Sequence, residues 1–130
     1  FIFFHFNVDL SQGPCIIKRI RGCGAGCEYV AVTPEGDIYP CHQFVGMPEY
    51  KMGNVHKDGF NMALSEKFSS MNIYTREECD SCWAKFYCTG GCSASNLLVN
   101  GDIKKPNHIA CEMERKRLEC AIALKACAEE

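Results

Sequence analysis

Cys79-Asp80-Ser81-Cys82-Trp83-Ala84-Lys85-Phe86-Tyr87-Cys88-Thr89-Gly90-Gly91-Cys92 sets four thiols at gaps of two, five and three residues. That spacing reads as a ligand array rather than a packing pattern. Thiolates are soft donors that suit iron–sulfur clusters, zinc or copper(I). An inorganic centre is therefore indicated before any fold is considered, and the fold is read as one held by metal more than by core.

Working outward, the chain has 130 residues, of which 47% are hydrophobic and 23% charged, enough for one domain with a modest core. A formal charge of −2 offers no basic field, so neither nucleic acid nor an anionic membrane is an expected partner. Eleven cysteines in 130 residues reach the level of disulfide-rich secreted scaffolds. Their odd number and short clustered spacings favour metal-bound thiolates in a reducing cytoplasm instead. No stretch is long and apolar enough for a membrane span.

The second group of thiols comes from local structure upstream. Gly22-Cys23-Gly24-Ala25-Gly26-Cys27 is a loop whose glycines let the backbone wrap closely. Tyr29-Val30-Ala31-Val32 and Ile38-Tyr39 flank Thr33-Pro34-Glu35-Gly36-Asp37, a hairpin with a type I turn. That hairpin returns Cys41 beside Cys23 and Cys27. Residues 16–20 read as a short edge strand, 43–60 as loop and 61–68 as a short helix. Thr75-Arg76-Glu77-Glu78 has the form of a capping box and predicts a helix or turn ending at Cys79. From about His108 the composition predicts a terminal amphipathic helix, with Met113, Arg117, Cys120, Ala121, Leu124 and Cys127 on one face. The apolar start, Phe1-Ile2-Phe3-Phe4-His5-Phe6, reads as a strand that packs against sequence upstream of this chain. The fold class is thus small α+β, metal-stabilised: a β-hairpin, short helices and loops around two sites, then a C-terminal amphipathic helix.

Counting thiols against coordination number gives five in one half (Cys79, Cys82, Cys88, Cys92, Cys111) and three in the other (Cys23, Cys27, Cys41). Two four-ligand sites result if one thiol crosses over, as it does in two-cluster ferredoxins.

The order Cys23-x12-Gly36-x4-Cys41, then Cys79-x2-Cys82-x5-Cys88-x3-Cys92, then Cys111 resembles the seven-cysteine signature of the SPASM domain. That domain is the auxiliary-cluster module of radical SAM enzymes that modify peptides and proteins. The resemblance covers roughly 22–115, leaving 1–21 as strand and linker from an upstream barrel and 116–130 as a helical extension. The wording Gly-Cys-Gly-Ala-Gly around Cys23 and Ala-Val-Thr-Pro-Glu-Gly-Asp-Ile-Tyr-Pro-Cys-His around Cys41 is similar to thioether-forming maturases of six-cysteine (SCIFF) peptides. It is equally similar to anaerobic sulfatase-maturating enzymes.

The resemblance implies two [4Fe–4S] clusters. Cys23, Cys41 and Cys92 match ligands of the first auxiliary cluster, with Cys92 as the crossover thiol and Cys27 where some relatives place a further ligand. Cys79, Cys82, Cys88 and Cys111 match a full set for the second. It further implies a Cys-containing precursor peptide as substrate, an electron donor such as ferredoxin or flavodoxin, and the cytoplasm of an anaerobic bacterium. S-adenosylmethionine would bind only the upstream domain. The Cys-x3-Cys-x2-Cys loop that catalysis requires is broken here, since Val30 stands where Cys23-x3-Cys27 should be completed. The chain is therefore expected to be a non-catalytic part of a radical SAM maturase. The alternatives are a zinc-stabilised binding module, zinc being a possible substitute metal, or the corresponding domain of a formylglycine-forming sulfatase maturase. Cys15, Cys120 and Cys127 read as small buried hydrophobes. His42 reads as a hydrogen-bonding or surface residue; Tyr39, Trp83, Phe86 and Tyr87 read as shields for cluster sulfur, and Gly90-Gly91 as a close backbone approach.

Overall fold

The computed structural model describes residues 6, 8–11, 15–57 and 59–128. Apart from Phe6, the expected N-terminal strand lies outside the described residues. The elements run α1 (Ile16–Arg21), β1 (Ala31–Val32), β2 (Asp37–Tyr39), two 3-10 turns (His42–Phe44 and Pro48–Tyr50), β3 (Gly53–Asn54), α2 (Met62–Ser69), α3 (Lys85–Cys88), α4 (Ser93–Asn100) and α5 (His108–Ala128). This is the expected α+β mixture of hairpin, short helices and terminal helix.

The hairpin forms as read. Ala31 pairs with Tyr39 and Val32 with Ile38, antiparallel. The turn closes through the Gly36 N–H on the Thr33 carbonyl at 2.9 Å. A third strand joins from within the segment read as loop: Asp37 pairs with Asn54 and Ile38 with Gly53, giving the order β1-β2-β3. Strands of two and three residues are too short for alternation to reveal them. The core lies beside this sheet. Phe44 is fully buried and packs on Tyr50 (ring centroids 4.7 Å apart) and edge-on against Phe68 of α2 (5.3 Å). Met52, Leu64, Met71, Ala94 and Ile103 close around them. Asn61 starts α2 by accepting the Leu64 N–H at 2.9 Å, one of the donors a helix start leaves unpaired.

Two expectations are corrected. Residues 16–20 are helical, not an edge strand: Ile16 and Ile20 stand one turn apart, Lys and Arg favour helix, and the Ile20 carbonyl accepts the Ile73 N–H at 3.1 Å. The segment at Thr75 takes the turn alternative of its reading rather than the helix. Thr75 Oγ1 instead accepts from Asn72 N and donates to the Ser70 carbonyl, so 72–79 is a chain of turns. Finally, α5 buries Leu118 and Ala121, while Met113 and Leu124 are exposed, so its inner stripe is narrower and rotated from the one read. The helix is continuous through residues 115 and 116. Among the described residues no helix is long and apolar enough to cross a membrane.

Candidate metal centre

All eleven cysteines are free thiols, and the fold gathers eight of them into two neighbourhoods. Cys79, Cys82, Cys88 and Cys111 line one recess, together with Glu78, Lys85, Gly90, Pro106, Glu114 and Arg115. Short-range structure supplies three of the four. Turns stack through the Cys79 N–H on Glu77 and the Cys82 N–H on the Cys79 carbonyl (2.8 and 3.1 Å), and α3 then carries Cys88. The αL residue Thr89 (φ 60°) ends α3 and turns the chain back, and the Gly91 N–H donates to the Cys88 carbonyl at 3.4 Å.

Cys111 arrives from α5 by a different device. Asn96, 2% exposed on α4, donates to the Ile103 carbonyl at 3.3 Å and accepts the Asn107 N–H at 3.0 Å. Asn107 also donates to Ser95 Oγ at 3.0 Å, and its side-chain oxygen accepts the Ile109 N–H at 3.1 Å at the start of α5. Helix, loop and helix are thereby locked, and Cys111 sits on the first turn. Nothing in the sequence reading singled out Asn96 or Asn107, since surface asparagines look the same in a sequence.

The other neighbourhood holds Cys23, Cys41 and Cys92. Burial, then Cys92 and Cys23 as like-charged neighbours, oppose ionisation of the Cys41 thiol and push it up. The Tyr29 hydroxyl donates to the Cys23 sulfur at 3.9 Å. Burial and Cys23 raise that phenol to about 12, with Cys41 and Cys92 adding to the effect. Cys27 shares a recess with Cys23, Gly24, Gly91, Ser93 and Arg76, and its thiol donates to the Gly24 carbonyl at 3.3 Å. Burial raises Cys27 as well.

In the first recess, burial raises Cys79 to about 11 and pushes Cys88 and Cys111 up. Arg115, whose guanidinium donates to the Glu112 carboxylate, lines the same recess. As free thiols these groups are neutral at pH 7, so a bound cation or cluster must displace protons from them. Among the described residues, no three His, Cys, Asp or Glu side chains converge closely enough to hold one metal ion. The donors ring their recess rather than meeting at a point.

Cys15 and Cys127 are exposed rather than buried, and Cys120 is half-buried; all three stand apart from both neighbourhoods. His42 is exposed. Tyr39 is a core residue, and Tyr87 borders Cys88 and Cys111. Trp83 and Phe86 are exposed and do not line the recess, so the shielding expected of them is not their role; Phe86 and Tyr74 flank the Lys85 ammonium instead.

The sequence reading also passed over Arg76 as a site residue. It is 6% exposed, and its guanidinium donates to the Ile103 carbonyl at 3.0 Å and to Ser93 Oγ at 2.9 Å. Burial pushes it below its ordinary value, while Cys79, Cys23, Cys88 and Cys92 pull it back up. An Arg three residues before a cysteine carries no signal of burial, so only the fold reveals it.

The family model described as an iron-sulfur cluster-binding domain, SPASM, matches residues 23–83. Among curated proteins, the chain is 33% identical over 110 residues to an uncharacterized protein of Archaeoglobus fulgidus, covering 82% of this chain and 25% of the relative. It is 33% identical over 90 residues to the antilisterial bacteriocin subtilosin biosynthesis protein AlbA of Bacillus subtilis, covering 64% of this chain and 19% of the relative. It is 28% identical over 102 residues to PqqA peptide cyclase of Rhizobium meliloti, covering 73% and 27%. The chain thus spans about a quarter or less of the length of these relatives. With two thiol neighbourhoods, a matching family model and relatives of this kind, residues 23–83 are identified as the part of the chain that matches the SPASM family of iron–sulfur cluster-binding domains.

Proposed function

We propose that the chain is the auxiliary-cluster domain of a radical SAM maturase that crosslinks a ribosomal peptide through cysteine thioethers. Cys23, Cys27, Cys41 and Cys92 would hold one [4Fe–4S] cluster, and Cys79, Cys82, Cys88 and Cys111 a second, within a cluster domain at 22–115. When bound, such clusters supply one-electron redox chemistry. Thioether closure removes two hydrogens from the peptide, one as an atom taken by the 5′-deoxyadenosyl radical and one as a proton plus an electron. The electron needs an acceptor, which is the role assigned to this domain, along with holding the peptide. S-adenosylmethionine and its cluster belong to an upstream barrel; a ferredoxin or flavodoxin would be the electron donor in an anaerobic cytoplasm.

The observation that carries this reading is that Cys79, Cys82, Cys88 and Cys111 line one recess although Cys111 comes from a separate element. Donors that ring a recess suit a polynuclear cluster better than a single zinc, whose thiolates all lie about 2.3 Å from one ion. A peptide substrate is carried over from relatives named as a bacteriocin biosynthesis protein and a peptide cyclase. The test is anaerobic reconstitution with iron and sulfide, followed by elemental analysis. About eight irons per chain are expected. About two zinc ions and no brown chromophore would overturn the reading.

A further inference from the structure

Arg76 lies between the two thiol neighbourhoods, and its surroundings lack the usual partner of a buried cation. Its side chain lines the recess of Cys23 and Cys27, next to Gly91 and Ser93. Its carbonyl accepts the Cys79 N–H at 3.3 Å on the other side. Gly90, which lines the second recess, lies flush against it: a Cβ there would stand 3.0 Å from Arg76 Cδ and 3.2 Å from Nε. The guanidinium's hydrogen-bond partners are a carbonyl and a hydroxyl, both neutral. Among the described residues it makes no ion pair with a carboxylate. A charge this deeply buried is costly unless something anionic pairs with it, and the groups around it that can become anionic are cysteines.

We propose that Arg76 is the shared counter-cation of both cysteine groups, a positioning residue that raises the reduction potential of both clusters. This rests on the two-cluster reading above. A cluster held by four thiolates is anionic and becomes more so on reduction. A fixed cation in a low-dielectric wall favours the reduced form, and one placed between two sites acts on both. Arg suits the position because it remains charged where Lys sheds its proton more readily.

The experiment compares the chain, reconstituted anaerobically, with R76Q, R76K and S93A, measuring iron content and the potentials of both clusters by EPR-monitored redox titration. In R76Q both potentials should fall, with the reduced-to-oxidised ratio at a fixed potential down about tenfold, which for one electron is about 59 mV. S93A removes a hydrogen bond without removing charge and should leave both within about twofold. R76K should restore both potentials to within about threefold of wild type, even if its melting temperature drops. Unmoved potentials in R76Q, or a shift in one cluster alone, overturn the proposal. If R76Q does not load iron, R76K decides: two loaded clusters near wild-type potential support it, and two lowered potentials overturn it. A wild-type chain that itself fails to take up two clusters would sink the underlying reading instead, so the two failures are distinguishable.

Discussion

The backbone N–H of Gly26 points at the Pro40 carbonyl, 2.9 Å away, and is shared with the Tyr29 carbonyl at the same distance. This contact pins the glycine loop to the end of the hairpin. Because Cys27 follows Gly26 and Cys41 follows Pro40, it sets the separation of the two thiols before any metal binds. Ser65 of α2 adds a clamp from the other side, donating to the Gly26 carbonyl at 2.8 Å.

Gly26→Ala tests that clamp. The residue sits at φ +77°, and a Cβ would stand 3.0 Å from Phe68 Cγ and 3.2 Å from Pro40 Cβ. The left-handed backbone costs about 1–2 kcal/mol for an L-residue. Displacing a buried ring adds to that, so a loss of about 2–3 kcal/mol is expected. Urea denaturation of the iron-loaded protein measures it, and the iron lost should be that of the Cys23 neighbourhood alone.

Serine substitutions partition the cysteines. C82S and C111S should each remove about four irons and leave the other cluster intact, as should C41S. C27S should also cost the Cys23-side cluster, or leave it open to an added thiol that shifts its EPR signal. Serine at Cys15, Cys120 or Cys127 should leave iron unchanged. Iron retained in full by C111S would break the assignment of the second set.

Asp37 provides a pH test. Lys51 at 2.6 Å and the Asn54 side-chain amide at 2.7 Å hold its carboxyl below its ordinary value. A carboxylate lowered in the folded state contributes stability above its unfolded pKa and loses it as pH falls through the folded value. The difference in urea midpoint between wild type and Asp37→Asn should therefore be constant from pH 7 to about 5 and narrow only below about 4. A difference that instead grew on acidification would contradict this.

Metal removal should unfold much of the chain. The longest strand among the described residues is three residues, and Cys79, Cys82 and Cys88 are carried by turns and a one-turn helix. Stripping metal under anaerobic, reducing conditions should replace a cooperative melt by a broad one, followed by circular dichroism. A melt unchanged by chelator would show that the apolar cluster around Phe44 and Phe68 suffices alone.

Local features were the legible ones. The hairpin, α2 and α5 follow from turn chemistry and composition, which act over a few residues. The helix at residues 16–21 was misread because β-branched content argued for strand, while its docking on residue 73 is a tertiary contact. Strand β3 exists because β2 offers it an edge, not because of its own two residues.

The cysteine spacing by itself determined that the chain carries a thiolate ligand array for a soft metal centre, and the likeness of that spacing to a known signature pointed to iron–sulfur, because a ligand array needs particular donors at particular intervals along the chain. What only the tertiary structure decided is the company those cysteines keep. Asn96 and Asn107 carry Cys111 to the recess of Cys79, Cys82 and Cys88 through hydrogen bonds between separate elements. Arg76 is buried between the two neighbourhoods by the packing of Gly90 and the reach of Ser93. Spacing is a property of the covalent chain; burial and charge compensation arise only when distant segments exclude water together.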